Sequence, residues 1–267
     1  STIEDKQGKL LFFTSTDGEE WKFANSVTRE NFGWMWECPD YFEVDNRQVV
    51  IFSPMQLFKD GKAEDAQTVC MQVKFDKETC AMELPEEYQF LDYGTDLYAP
   101  QSTLDEEERR ILTAWLRMPE PVDGKWQGMM CIPRVVEVQK DHIYFRVHPN
   151  VQAVYTKEIS EPSEADESGY RLRFSLEDGD KVNVGGYVIS REGNKICTDR
   201  SALFEKFPNH RVKFETPEMK GFEIEVYVNP NQISVFVNDG EAVITNAVYD
   251  LEEKIEADVA ITIETIE

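Results

Sequence analysis

Apolar and polar residues alternate with a period of two along most of this chain. Val69, Met71, Val73 and Phe75 interleave with Cys70, Gln72 and Lys74, the spacing of a strand with one buried face. Residues 10–13, Leu-Leu-Phe-Phe, form a short apolar run closed by Asp17-Gly18, and Trp21 and Phe23 resume the pattern beyond it, which predicts a hairpin. Further strand-like runs lie at Val49–Phe52, at residues 111–116, 135–138 and 143–147, separated by Gly, Pro and acidic turns. No amphipathic helix of ordinary length competes. The charged cluster from Asp105 to Arg110 reads as a solvated turn between strands.

Between His148 and Ser160 the strand pattern lapses, and the polar stretch from Glu161 to Gly169 marks a boundary. Domains are expected over residues 1–150 and 151–267. Past the boundary, Leu172, Phe174 and Leu176, then Val182 and Val184, then Phe222, Ile224, Val226 and Val228 all recur at period two. Asn229-Pro230-Asn231 turns the chain into Ile233, Val235 and Val237, Asp239-Gly240 turns it into Val243 and Ile244, and Val259, Ile261 and Ile263 add a closing strand. Many short alternating strands with regular turns describe a β-sandwich. Gly185-Gly186 suits a bulge or a close backbone approach better than a phosphate cradle.

Composition narrows the function. The 267 residues, 41% hydrophobic, suffice for one large domain or two ordinary ones, and no apolar run reaches the length of a membrane span. With 28 basic against 52 acidic residues the net charge is −24, which repels nucleic acid and anionic lipid. Five cysteines without C-x-x-C spacing and three histidines indicate neither a disulfide framework nor a zinc site. No metal or cofactor is expected. Free thiols and the absence of an N-x-Ser/Thr acceptor lean toward the cytoplasm. Ser1 stands where a start methionine would, so the natural N-terminus is expected to lie elsewhere.

The chemistry concentrates in Gly33-Trp34-Met35-Trp36-Glu37-Cys38-Pro39-Asp40-Tyr41-Phe42. One acid sits inside a wall of aromatic and sulfur side chains, ahead of a Pro-Asp turn that belongs at a strand end. A partly desolvated carboxyl is expected there, and such a group keeps its proton to higher pH, as a general acid needs. The bland alternative is a core tryptophan pair beside a solvated Glu37.

The neighbouring motifs favour the acid. Trp36-Glu37-Cys38-Pro39-Asp40 resembles the acid/base motif of glycoside hydrolase family 32, the invertases and other β-fructosidases. Ser15–Trp21 is similar to the strand and turn before that motif. The run from Leu91 to Gln101, followed by Arg109–Trp115, resembles the strand pair lining the family's sugar site. Trp126-Gln127-Gly128 with Pro133-Arg134 fits the end of the catalytic propeller, and Val235–Glu241 with Val243-Ile244-Thr245 looks like the C-terminal sandwich. Five ordered matches carry more weight than any one of them.

The resemblance implies an all-β chain: part of a five-bladed β-propeller, roughly three blades of it, followed by a C-terminal β-sandwich. It implies retaining hydrolysis of β-fructofuranosyl bonds, in sucrose, sucrose 6-phosphate or a fructan, by a nucleophile and a general acid/base. Glu37 falls on the acid/base position. Asp96, Tyr98, Trp115, Trp36 and Cys38 match positions expected around the sugar, with a packed strand pair as the alternative for Asp96, Tyr98 and Trp115, and Cys38 tuning the surroundings of Glu37 rather than attacking. The family's nucleophile lies in a W-M-N-D-P-N-G motif and its transition-state stabiliser in an R-D-P motif; neither occurs in residues 1–267. The chain alone is therefore expected to be inactive and to need an N-terminal propeller segment, in cis or from another chain. Exposed propeller edges and the sandwich are expected contact surfaces for a homo-oligomer. The competing reading is a non-catalytic carbohydrate-binding or scaffold protein derived from the same family.

Overall fold

A computed structural model describes residues 7–59, 62–63 and 67–267. Chain order begins with an antiparallel ribbon, β1 (Lys9–Thr14) and β2 (Lys22–Thr28), joined by the turn predicted at Asp17-Gly18. The first larger sheet holds β3 (Met35–Val44) and β4 (Arg47–Met55). A small hairpin follows, β5 (Phe58–Lys59) and β6 (Lys62–Ala63). The sheet then continues with β7 (Val69–Asp76), β8 (Ala81–Glu83) and β9 (Gln89–Phe90). Its order is β3-β4-β7-β8, with β9 sharing the outer edge of β7. Asp45 and Asn46, both at positive φ, make the tight β3–β4 turn, the geometry whose twist matches the flanking strands.

The second sheet repeats the plan. It comprises β10 (Leu97–Leu104), β11 (Arg110–Leu116), β12 (Met129–Met130), β13 (Arg134–Gln139) and β14 (His142–Val147), in order β10-β11-β13-β14 with β12 sharing the edge of β11. Each sheet is thus four strands deep, the depth of a propeller blade. Among the described residues there are two such blades plus the ribbon, somewhat less than the three blades expected.

After the short helix α1 (Pro149–Gln152) come β15 (Tyr155–Glu158), β16 (Tyr170–Ser175), β17 (Lys181–Val184), β18 (Tyr187–Glu192), β19 (Lys195–Asp199) and β20 (Lys213–Glu215). The chain ends with β21 (Glu223–Asn229), β22 (Gln232–Val237), β23 (Ala242–Ala247), β24 (Ile255–Ala257) and β25 (Thr262–Ile266). One sheet runs β15-β25-β16-β21-β22-β23 and the other β20-β19-β18-β17-β24. Inward residues of both, among them Leu172, Val184, Ile189, Ile196, Val235 and Ile244, form one apolar core. Gly185 and Gly186 are the two-residue turn between β17 and β18, both at positive φ, and a Cβ on Gly185 would stand 2.4 Å from the Glu252 carbonyl oxygen. The close backbone approach read from the sequence is real.

Two expectations shift. Glu161–Gly169 does not separate the halves, because β15 before it and β16 after it belong to the same sheet. The turn-rich composition there reflects a loop within the sandwich. The closing strand starts at Thr262, because Asp258–Ile261 carry the chain from one sheet to the other. Among the described residues no helix is long and apolar enough to cross a membrane.

The halves share a core. Phe236, Val243 and Ala247 of the sandwich pack with Leu112, Val136, Phe145 and Val147 of the second blade. For that reason all six residues of β22 and all six of β23 are buried, on both faces.

Candidate functional site

The two blades begin with the same irregularity. Along β3 the register passes from Glu37 opposite Ser53 to Asp40 opposite Ile51, and along β10 from Tyr98 opposite Trp115 to Gln101 opposite Thr113. In each case one extra residue is inserted, a β-bulge. Cys38 and Ala99, both at positive φ and both followed by proline, form the creases. Non-glycine residues hold that conformation only where their surroundings impose it. The bulges re-aim the side chains before them toward each other.

Those side chains meet. The Tyr98 hydroxyl donates a short hydrogen bond to Oε2 of half-buried Glu37. Burial first, and then the bond to Glu37, push the Tyr98 phenol well above its ordinary range, so it remains a donor. The Arg117 guanidinium lies 4.9 Å from the Tyr98 ring centre, a cation over an aromatic face. A second tie between the blades lies further along, where Oδ2 of Asp40 accepts from the Ser102 backbone N–H at 2.8 Å and its hydroxyl at 2.6 Å. The Cys38 thiol is pushed up by burial and then by the charge of Glu37, which keeps it protonated and a poor nucleophile.

Trp115, 46% exposed, is the cross-strand neighbour of Tyr98. Its indole rests on Gly128: at φ +88 that glycine leaves room that a Cβ, 2.3 Å from Trp115 Nε1, would fill. Glu37, Cys38, Tyr98 and Trp115 are therefore gathered at one end of the blades.

Two expected site residues are elsewhere. Trp36 is 3% exposed; it stacks on Phe52 at 4.4 Å between ring centres, and its indole N–H donates to the Phe32 carbonyl at 2.6 Å. Alternation along β3 places it on the face opposite Glu37, within the blade core. Asp96 turns to the sandwich. The buried guanidinium of Arg200 holds both its oxygens, with Nη2–Oδ1 at 3.1 Å, and the Ala247 backbone N–H donates to Oδ2 at 2.9 Å. A parallel clamp joins Arg134 to Asp92 at 2.6 Å and to the Thr245 hydroxyl at 2.8 Å. Asp92 and Asp96 thus pin the segment leading into Tyr98 instead of facing a sugar. A buried carboxylate needs such a partner, and only the fold shows that Arg200 supplies it.

Asp40, Ser102 and Arg117 are the site residues that the motif reading missed. For Asp40 the motif itself held the signal, since it closes Glu37-Cys38-Pro39-Asp40; Ser102 and Arg117 lie outside the two creased segments, and only the fold shows them.

Comparison with known proteins agrees with this geometry. Residues 1–149 match the family profile described as "Glycosyl hydrolases family 32 N-terminal domain". The chain is 26% identical to the sucrose-6-phosphate hydrolase of Staphylococcus xylosus, over 91% of this chain and 56% of that protein. It is 27% identical to the sucrose-6-phosphate hydrolase of Vibrio alginolyticus, over 90% of this chain and 54% of that one. It spans little more than half the length of these relatives. Among solved structures, the sucrose-6-phosphate hydrolase from Lactobacillus gasseri superposes with a TM-score of 0.81 at 18% identity, covering 99% of this chain and 62% of that one. That likeness bears out the all-β fold of partial propeller and sandwich. With more than half its length matched by the profile, the chain belongs to glycoside hydrolase family 32.

Proposed function

We propose that this chain is the acid/base-bearing portion of a retaining β-fructosidase that cleaves sucrose or a related β-fructoside, with residues 1–150 as partial propeller and 151–267 as sandwich. The observation that carries the reading is the Tyr98–Glu37 pair, set by matching bulges on the first strands of neighbouring blades. Glu37 protonates the leaving oxygen and later takes a proton from water. Tyr98 orients that carboxyl, and Trp115 offers an exposed ring beside it for the apolar face of a sugar.

The nucleophile that would hold the fructosyl group is not among these residues, since W-M-N-D-P-N-G and R-D-P are absent. Turnover therefore needs a complementary propeller segment. In a sucrose hydrolysis assay the chain alone gives no glucose release, the chain with that segment does, and Glu37→Gln abolishes the restored rate. Turnover by the 267-residue chain alone would overturn the proposal.

A further inference from the structure

A groove of about 530 Å³ runs along one open side of the sandwich, between β24 of one sheet and β25 of the other. Ile255 and Ala257 of β24, Val259 and Ile261 of the crossing segment, and Ile263 of β25 line it. Ile255, Val259, Ile261 and Ile263 pack on the sandwich core yet are only half-buried. The groove is therefore an open extension of that core.

β24 also ends its sheet. The Lys254 carbonyl accepts from the Gly185 N–H at 2.9 Å, and the Asp258 N–H donates to the Lys181 carbonyl at 3.0 Å. Lys254, Glu256 and Asp258 thus turn their backbone groups toward β17. In an antiparallel ladder the residues between them point the opposite way, so the N–H and C=O groups of Ile255 and Ala257 face the open side. Such a row is a template for one more strand.

Charge selects the strand. The edge carries Asp250, Glu252, Glu253, Glu256 and Asp258 against one base, Lys254, whose ammonium Glu256 already holds. Glu161 adds a carboxylate on the groove. Two copies of this edge would set acid against acid, which opposes self-pairing, and a net charge of −24 repels the copies before they meet. A basic strand gains from the same field. Side chains of an added strand alternate between the two sides of the sheet: one set enters the apolar groove beside Ile255, and the other reaches Glu256 and Asp258.

We propose that the β24 edge docks an extended segment of a partner protein, basic at every second residue and apolar between, which joins the sheet as its next strand.

The test uses the full chain and a dye-labelled peptide of about seven residues, alternating lysine and valine with blocked ends. Fluorescence anisotropy is expected to show saturable binding with Kd on the order of 10–100 μM. Isoleucine-methyl NMR shows shifts of Ile255 and Ile261, assigned through Ile255→Val and Ile261→Val. The same peptide N-methylated at every amide binds about tenfold more weakly or worse, because it has no backbone donors for the edge. Ala257→Pro acts from the other side, removing an N–H that β17 does not use, with a similar loss. Glu256→Lys weakens binding about fivefold. The N-methylated peptide is read on the unsubstituted chain, so a poorly folded Ala257→Pro variant does not blunt the test. The proposal is overturned by no saturation at about 1 mM peptide, by equal binding of the N-methylated peptide or of a glutamate–valine one, or by shifts that leave Ile255 and Ile261 unmoved. Self-association that Ala257→Pro abolishes, without peptide binding, would also overturn it by giving the edge to a second copy. No readout involves turnover, so failure here leaves the hydrolytic reading standing, and failure of hydrolysis leaves this one.

Discussion

The sandwich and the blades bury their strands to different degrees. In the sandwich, β22 and β23 are covered on both faces, by the opposite sheet and by the second blade. The β1–β2 ribbon covers one face only: Leu10 packs inward while Leu11, Phe13, Trp21 and Phe23 stay exposed. Trp115, Trp126 and Met130 are exposed on the second blade. A sheet apolar on both sides and covered on one is a surface made for another layer. The β22–β23 layer is covered on both faces, one of them by the second blade, whereas the ribbon is covered on one face alone.

The largest expected effect comes from cutting the link between the halves. Arg200→Met leaves Asp96 buried and uncompensated, a loss of about 3–5 kcal/mol. All five tryptophans precede residue 127, so indole fluorescence follows the blades while far-ultraviolet dichroism follows both halves. In guanidinium chloride the two signals coincide for the parent chain and separate for Arg200→Met; coincidence in both would remove Asp96–Arg200 as the coupling. Next, Ile244→Ala in the sandwich core costs about 2–5 kcal/mol, read as a lowered denaturation midpoint. Tyr98→Phe sharpens the contrast from the other side. It deletes one hydrogen bond to a half-buried carboxylate, costs the fold about 1 kcal/mol, and lowers kcat of a complemented enzyme about tenfold or more.

Replacing Phe13 and Phe23 by Ser changes stability by only about 0.5 kcal/mol, because both side chains are exposed and pack edge-on against each other. The same pair of changes reduces self-association in light scattering and uptake of the complementary segment. Unchanged association would mean that the ribbon face is not the surface used. The smallest effect is confined to alkaline solution. Burial raises the phenols of Tyr170, Tyr187 and Tyr227 in the sandwich and of Tyr98 in the blade. For groups raised by folding, the stabilisation is complete below the unfolded value near 10 and is lost as pH climbs beyond it. Thermal midpoints are therefore flat with respect to these groups up to about pH 10 and fall above it, and absorbance at 295 nm rises together with unfolding.

Strand positions were legible because burial on one face imprints alternation: Val69–Phe75 and Leu172–Phe174 lie in strands as their periodicity requires, although Cys70, on the face expected to be open, is fully buried. Alternation says nothing of a strand covered twice. Ile233, Val235 and Val237 announced the sandwich core, but nothing in the pattern showed that Ser234 and Thr245, on the other face, are fully buried, Thr245 beside Asp92 and Arg134. Glu37, Tyr98 and Trp115 were found through a motif. The same motif could not tell that Asp96 turns away, because its partner Arg200 lies 104 residues downstream. Trp36 is the reverse case: strand alternation alone placed it behind Glu37, and its proximity in sequence was misleading.

The paired creases at Cys38-Pro39 and Ala99-Pro100 make the shape of the site a local property of each inner strand. Among the described residues, Glu37 and Tyr98 hold their mutual orientation between two neighbouring four-stranded blades. A complementing segment would have no rearrangement to drive on this side. It would need only to deliver its own carboxylates against a half that is already set.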